Sequence, residues 1–239
     1  MAHFPELRAV LLNCSLANDA KKSHTRRLLA RVGGVMRAEG VAVELIHMRD
    51  HQVAFGMVKD TTESGDSRDD WPAIHAKIMA ADILVIGTPI WLGAKSSVAA
   101  LAIERLYAFS GDKNPRGQYL YYGKAAGCVV TGNEDGVKAV AMETLYALSH
   151  IGYAIPPQAD CGWLGGIGPG PSYGDVVEGS GVPTGYESEF TNTNATIMAW
   201  NLMHMAQMLH DRGGFPVGGN VADKWREGSN AADQDPDGF

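Results

Sequence analysis

Long apolar runs and clusters of positive charge are both missing from this sequence. No apolar run approaches the roughly 20 residues that a membrane-spanning helix needs. The chain has 20 Lys and Arg residues against 27 Asp and Glu, a formal net charge of −7, and no basic run of five or more. Because nucleic acids are bound by concentrated Lys and Arg, this balance argues against a nucleic-acid surface. Residues 1–6 lack the pattern of a secretion signal, so we expect a cytoplasmic protein that does not enter a membrane.

Cysteine is also scarce. The three cysteines, Cys14, Cys128 and Cys161, are too few and too far apart for a disulfide scaffold, a zinc knuckle or an iron-sulfur site. His47 and His51 are four residues apart, but they fall at a strand end and in a loop rather than on one helix face. We therefore predict no metal site. The chain also lacks a Walker A run, which argues against the nucleotide hydrolases that use one.

The composition that remains is ordinary for a globular protein. The 239 residues are 45% apolar and 20% charged, enough to bury one sizeable core. We predict one domain over residues 1–212, followed by a polar, Gly-rich tail at 213–239. That tail is either loose or an arm that clasps a neighbouring subunit.

Short apolar strands alternate with amphipathic helices along the chain. The alternation predicts a doubly wound α/β fold with three layers and a five-stranded parallel sheet in the order 2-1-3-4-5. Residues 51–69 form a long loop in this interpretation, and the Gly- and Pro-rich residues 159–188 have no regular structure. The predicted strands are 8–13, 41–48, 83–86, 125–131 and 153–155, and the predicted helices are 23–39, 69–81, 96–109, 137–150 and 191–212.

Three loops would meet where the first, third and fourth strands end. In the first loop, Ser15 precedes Ser23, His24 and Thr25 at a helix start, where hydroxyls and free N–H groups suit a phosphate. The alternative is that Ser23 only caps the helix. In the second loop, 88–93, a proline-fixed backbone, a large aromatic and a glycine suit a flat ligand, and the alternative is a turn over a core tryptophan. The residues assigned there are Pro89, Ile90, Trp91, Leu92 and Gly93.

The third loop, 131–136, contains two glycines that allow backbone N–H groups to point into a pocket. Asp135 has the simpler alternative of capping the next helix. The residues assigned there are Thr131, Gly132, Asn133, Glu134 and Gly136. Together the three loops describe a site with one phosphate end and one flat aromatic end, which fits FMN.

Residues 8–212 resemble the flavodoxin-like NAD(P)H-dependent FMN oxidoreductases, a family that includes FMN reductases and quinone or azo-dye reductases. Ser15 followed by Ser23-His24-Thr25 resembles the family's Ser and Ser-Asn-Thr. Residues 87–96 read Gly-Thr-Pro-Ile-Trp-Leu-Gly-Ala-Lys-Ser and resemble Gly-Ser-Pro-x-Tyr-x-Gly-x-x-Ser. Glu104-Arg105 stands where Asp-Arg is common. The chain departs from the pattern at His24, where asparagine is common, and at Ala100, where lysine is common.

The resemblance implies an oxidoreductase with bound FMN, reduced by NADPH or NADH. The reaction would be hydride transfer to a small acceptor such as a quinone, an azo compound or free flavin, with the chemistry carried by the flavin rather than by a catalytic side chain. Trp91 would pack at the ring, and Tyr173, in the Gly-Pro run 165–173, would lie on the substrate side unless that run is only a surface loop. Relatives are usually homodimers or homotetramers. Two alternatives stay open: a flavodoxin-type electron carrier, and a flavin-free scaffold that keeps the fold.

Overall fold

The protein is seen here as a computed structural model that describes residues 3–225. Six strands and five α-helices alternate along this part of the chain. The strands are β1 (Arg8–Asn13), β2 (Ala42–His47), β3 (Ile83–Trp91), β4 (Ala94–Lys95), β5 (Ala125–Gly132) and β6 (Asp160–Leu164). The helices are α1 (His24–Ala38), α2 (Trp71–Met79), α3 (Ser97–Tyr107), α4 (Val137–His150) and α5 (Glu189–Asp211).

Five of the strands form one parallel sheet in the order β2-β1-β3-β5-β6. Counted over the parallel strands alone, this is the predicted order 2-1-3-4-5, and the doubly wound prediction is confirmed. The short β4 pairs antiparallel with the end of β3 and lies outside that order. Because all five parallel strands run the same way, the loops after β1, β3 and β5 meet at one edge of the sheet.

Helices cover the sheet on both faces, which gives the predicted three layers. Side chains alternate between the faces along β1, so that Leu11 packs with α1 and α5 while Leu12 packs with α2 and α3. Helix α4 covers the β5 end of the second face through Val140 and Ala141. The central strands are therefore buried on both sides, as their unbroken apolar runs predicted.

The third strand is longer than its sequence predicts. The apolar run suggested an end near Ile86 at a Gly-Thr-Pro turn, but β3 continues to Trp91 and folds back as a hairpin with β4. The last residue of β3 paired with β1 is Gly87. Pro89 lies beyond that point, where the strand has lost its neighbour on the β1 side, and proline is tolerated in such edge-like positions.

The fifth parallel strand was predicted in the wrong place. Residues 153–155 contribute only an isolated bridge between Ala154 and Ala125. The strand itself is Asp160–Leu164, inside the segment for which no regular structure was predicted. Its sequence, Asp-Cys-Gly-Trp-Leu, carries little local strand preference, and its partner in the sheet is β5.

The described part of the C-terminal segment contacts the body of the protein. Arg116 donates hydrogen bonds to the carbonyl oxygens of Phe215 and Arg212, at 3.2 and 3.3 Å. The Trp225 ring stacks on Tyr119 with 5.2 Å between ring centroids. The remainder of the predicted tail, 226–239, lies outside the described residues, so its assignment as a loose tail or an arm stays a prediction.

Candidate functional site

A cavity of about 610 Å³ opens where β1, β3 and β5 end. Its volume lies in the range of small-molecule and cofactor sites. All three predicted loops contribute to it, and a fourth wall comes from the segment after β6. The lining residues are Ser15, Leu16, Ala17, Lys22, Ser23, His24, Thr25, Pro89, Ile90, Trp91, Thr131, Gly132, Asn133, Glu134, Gly168, Pro169, Ser172 and Tyr173.

Ser23 is the N-cap of α1. Its hydroxyl accepts a hydrogen bond from the Arg26 N–H at 3.1 Å and donates one to Asn13 Oδ1 at 3.2 Å. Ser23 therefore caps α1, and its predicted part in cofactor binding stays a prediction. Since this hydroxyl already has an acceptor and a donor partner, Ser23 shapes the cavity end through the backbone that it fixes.

Thr25 is similarly occupied. Its hydroxyl lies 2.7 Å from the Thr131 hydroxyl, and the pair ties the first turn of α1 to β5. Ser15 differs, because its Oγ accepts the Ala17 N–H at 3.3 Å and its own proton is left to donate. Within residues 3–225, the N–H groups of His24 and Thr25 at the start of α1 have no hydrogen-bond partner. This end of the cavity therefore offers hydroxyl and N–H donors at the positive end of a helix, which suits an anion.

The opposite part of the cavity is apolar. Pro89, Ile90 and Trp91 of β3 line it, with Ile90 buried and Trp91 52% exposed. Leu92 and Gly93, at the turn of the β3–β4 hairpin, were predicted to join them but lie outside the lining. Trp91 offers an accessible flat face for an aromatic ring, and it is not the core tryptophan of the alternative interpretation.

The third loop lines the cavity through Thr131, Gly132, Asn133 and Glu134. Gly136, which was also predicted, lies outside. It has a φ of +124°, and a Cβ there would come within 3.1 Å of the Gly93 carbonyl oxygen. Gly136 is therefore needed for the close packing of the hairpin turn against the start of α4 rather than for the cavity.

Asn133 holds the fourth wall in place. Its Nδ2 donates to the carbonyl oxygens of Gly166 and Pro171, at 3.3 and 3.1 Å, and its Oδ1 accepts from the Ser172 hydroxyl at 2.8 Å. The sequence indicated that Asn133 belonged to the site but not that its side chain binds this segment. Gly168, Pro169 and Ser172 were not assigned from sequence, because nothing local in a Gly-Pro run shows which loop it contacts.

The same wall is fastened to α1. The Tyr173 carbonyl oxygen lies 2.9 Å from His24 Nδ1, and Arg27 Nη1 lies 3.4 Å from Asp175 Oδ1. The Tyr173 ring is buried between Trp163 and Tyr186, and this burial raises the pKa of Tyr173 to about 12. Tyr173 thus adjoins the cavity with a side chain that packs within the wall, and its place on the substrate side stays a prediction.

No group of three or more His, Cys, Asp or Glu residues within 3–225 is arranged to hold a metal ion. All three cysteines are buried, and burial raises the pKa of the Cys161 thiol to about 12. Burial also raises the pKa of the Cys14 and Cys128 thiols. Within the same range, no helix combines the length and the apolar character that a membrane span requires.

Comparison with known proteins gives a family and two relatives. Residues 7–162 match the family described as NADPH-dependent FMN reductase. A protein of Streptomyces davaonensis (strain DSM 101723 / JCM 4913 / KCC S-0913 / 768) named 8-demethyl-8-aminoriboflavin-5'-phosphate synthase is 34% identical over 211 residues, covering 86% of this chain and 79% of that protein. A protein of Mycobacterium bovis (strain ATCC BAA-935 / AF2122/97) named divalent metal cation transporter MntH is 53% identical over 206 residues. That match covers 86% of this chain, which spans only 29% of the Mycobacterium protein.

Solved structures agree with the fold. RosB, crystallised with the bound intermediate 8-demethyl-8-formylriboflavin-5'-phosphate, superposes with a TM-score of 0.78 and 31% identity, over 98% of this chain and 89% of RosB. A flavone reductase shares the fold alone, with a TM-score of 0.61 and 12% identity over 85% of this chain and 64% of its own. The predicted flavodoxin-like fold is confirmed.

Proposed function

The chain belongs to the NADPH-dependent FMN reductase family, a group of flavin-related oxidoreductases, and we propose that it binds FMN in the cavity at the ends of β1, β3 and β5. Bound FMN supplies hydride transfer from NADPH or NADH to a small acceptor such as a quinone, an azo compound or free flavin. The observation that carries this proposal is the pairing, in one cavity, of unpartnered N–H donors at the start of α1 with an apolar wall ending in Trp91.

The residues present fit the two ends of FMN. At the phosphate end, the Ser15 hydroxyl and the N–H groups of His24 and Thr25 are available as donors, and Lys22 adds a positive charge to the lining. An anion is stabilised there by the helix dipole and by the hydrogen bonds together. At the ring end, Trp91 would pack against the flat ring, and Pro89 and Ile90 would exclude water from it.

The backbone at the end of β5 is assigned to the polar edge of the ring. Backbone N–H groups of Asn133 and Glu134, which follow the last paired residue of β5, would stabilise the negative charge that collects there on reduction, as fixed dipoles stabilise developing charge in other enzymes. No side chain is assigned as a general acid or base. The chain's own residues therefore bind, orient and desolvate the cofactor.

The direct test is the absorbance spectrum of the protein reconstituted with FMN, followed by anaerobic addition of NADPH or NADH. We expect flavin absorbance and its bleaching by at least one of the two nucleotides. No uptake of FMN would contradict the proposal and favour a flavin-free scaffold. Accumulation of a one-electron semiquinone would instead favour an electron carrier.

A matched pair of variants adds a control. Trp91→Ala removes the aromatic face of the cavity, whereas Phe190→Ala removes an exposed aromatic on α5 that does not line it. We expect weaker FMN binding and slower bleaching for Trp91→Ala alone. Equal behaviour of the two variants would contradict the assignment of Trp91 to the ring.

A second candidate function treats FMN as the substrate. It is favoured by the relative named 8-demethyl-8-aminoriboflavin-5'-phosphate synthase. That protein is 34% identical over 211 residues, a longer stretch than the residues 7–162 that match the family. In that case the flavin itself would be altered. Mass spectrometry of flavin recovered after turnover separates the candidates, because a cofactor returns with its mass unchanged.

We also propose that the protein is a homodimer or homotetramer. The support is the exposed apolar face of α4, where Met142 and Tyr146 are 68% and 71% exposed. Sedimentation equilibrium measures the mass directly. A monomer at micromolar concentration would contradict this proposal without bearing on the cofactor.

A further inference from the structure

Two buried polar residues lie directly beneath the loop that follows β1. Asn13 is the last residue of β1, and His47 is the last residue of the neighbouring β2. Both are buried, and Asn13 Nδ2 lies 2.7 Å from His47 Nδ1. Neither residue lines the cavity.

The donor and acceptor roles in this pair are determined by its neighbours. The Ser15 backbone N–H can only donate, and it faces Asn13 Oδ1 at 3.3 Å. That contact identifies the oxygen of the Asn13 amide, so the group facing His47 is the NH₂ and His47 Nδ1 must accept. On the other side of the ring, His47 Nε2 faces the Ala17 carbonyl oxygen at 2.9 Å, which can only accept. His47 is therefore neutral, with its proton on Nε2.

These contacts hold the loop between β1 and α1 at both of its ends and in its middle. Asn13 Oδ1 accepts from the Ser15 N–H and from the Ser23 hydroxyl, which fixes the first residues of the loop relative to the start of α1. His47 fixes the middle of the loop through Ala17. Ser15, Ala17 and Ser23 all line the cavity, so the pair acts on the cavity only through them.

We propose that Asn13 and His47 are positioning residues for the phosphate of FMN, and that the neutral Nε2–H form of His47 keeps the loop in its phosphate-binding shape. This inference rests on the proposed function, which assigns the phosphate to this loop. Preorganised donors bind an anion more tightly than a mobile loop because less ordering is needed on binding. The ring of the flavin does not contact this loop in the assignment above, so the effect is specific to the phosphate.

The test compares FMN with riboflavin, which has the same ring and no phosphate. Dissociation constants for both flavins are measured by flavin fluorescence in the wild type, in His47→Leu and in His75→Leu. His75 is a matched control, because it is also a buried, hydrogen-bonded histidine but lies on α2 and does not line the cavity. We expect His47→Leu to weaken FMN binding at least about tenfold, through the lost hydrogen bonds, while riboflavin binding changes little. His75→Leu should keep the wild-type ratio of the two constants.

Other results overturn the inference in separate ways. If His47→Leu keeps the wild-type ratio of the FMN and riboflavin dissociation constants, His47 does not position the phosphate. The same conclusion follows if His75→Leu changes that ratio as much as His47→Leu does. A wild type that binds both flavins equally, or neither, would overturn the proposed phosphate site and this inference with it. If His47→Leu does not fold, His47→Gln replaces it, since glutamine keeps a donor for Ala17 while losing the contact with Asn13, and an intermediate weakening of FMN is expected.

The protonation state gives a measurement that needs no variant. Histidine ¹⁵N chemical shifts of the labelled wild-type protein distinguish a proton on Nε2 from one on Nδ1. A neutral His47 with its proton on Nε2 is expected. A proton on Nδ1 would place it against the Asn13 NH₂, so that two donors would face each other, and would overturn the proposed hydrogen-bond network.

Discussion

Arg105 is a fully buried charge on α3, and the contacts of its guanidinium explain how the long segment after β2 is fastened. Its Nη2 lies 2.6 Å from Asp69 Oδ2, and neither side chain is exposed. Nη1 and Nη2 also donate to the carbonyl oxygens of Ala54 and Lys59, at 2.8 and 3.2 Å. Burial pushes the pKa of Asp69 upward, but hydrogen bonds from Thr61, Arg105 and Trp71 outweigh it, so that pKa lies below its usual value. The Arg105–Asp69 pair therefore connects α3 to the long segment after β2.

Replacing Arg105 alone should destabilise the protein severely. Arg105→Met leaves the Asp69 carboxylate buried without its charge partner, and removing one member of such a pair costs about 3–5 kcal/mol of unfolding free energy. Urea denaturation measures the loss. The double variant Arg105→Met/Asp69→Asn should recover part of it, because the unpaired charge is gone. A single variant within about 1 kcal/mol of wild type, well short of the cost of an unpaired buried charge, would contradict this account.

The hydroxyls of Ser23 and Thr25 show how far a binding site can be predicted from sequence. The types and spacing of Ser23 and Thr25 correctly indicated a helix start beside the cavity. Which hydroxyls remain free depends on Asn13 and Thr131, residues 10 and 106 positions away. Hydrogen-bond satisfaction is a property of the folded neighbourhood, so the sequence could indicate these donors but not their occupancy.

The β3–β4 hairpin has a turn whose sequence is unusual for its shape. Leu92 and Gly93 join Trp91 to Ala94, and both have positive φ, +52° and +75°. A two-residue hairpin turn with two positive φ angles favours Asn-Gly, because a leucine is strained there. Leu92 is also 95% exposed, so packing within the chain does not compensate for that strain.

Relieving this strain should stabilise the protein. We expect Leu92→Asn to raise the free energy of unfolding by about 0.5–1 kcal/mol, since asparagine tolerates the left-handed region better. Chemical denaturation at one pH measures it. Ile167→Asn is a suitable control, because Ile167 is also exposed but does not have a positive φ. Equal changes in both variants would show that polarity rather than backbone strain is responsible.

Local sequence patterns predicted the helices well, but they misplaced the end of β3 and the whole of β6. Cap residues and apolar spacing are local, and they placed α1 and α4 within a residue of their observed bounds. The end of β3 and the position of β6 depend on pairing with β4 and β5, which no local window contains.

The stability of the whole molecule should depend on pH through His75. The His75 ring stacks on Phe109 with 3.6 Å between centroids, and its Nε2 lies 3.0 Å from the Tyr121 hydroxyl. Burial lowers the pKa of His75 to about 4, with Lys124 and Lys59 lowering it further and Asp112 opposing them. The folded protein therefore holds His75 neutral.

The direction of the effect follows from the proton balance. The unfolded chain takes up a proton on His75 near pH 6.5 and the folded protein only near pH 4, so stability is fully present above pH 6.5 and falls as the pH drops through this window. Between pH 7 and 4.5 we expect His75 to account for a loss of roughly 2 kcal/mol. Urea denaturation at both pH values measures the loss, and His75→Gln should show a smaller one. An identical loss in His75→Gln would assign the pH dependence to other groups.

From the sequence alone one can predict the doubly wound sheet, its strand order and the three loops that meet at one edge of it. These follow from local periodicity and from the geometry of parallel strands, which together bring Ser15, Trp91 and Thr131 to one cavity. The folded chain is needed to see the fourth wall after β6, the hairpin that extends β3, and the pairing of Asn13 with His47 beneath the first loop. These features are contacts between distant segments, and their energies depend on which groups the fold brings within hydrogen-bonding distance.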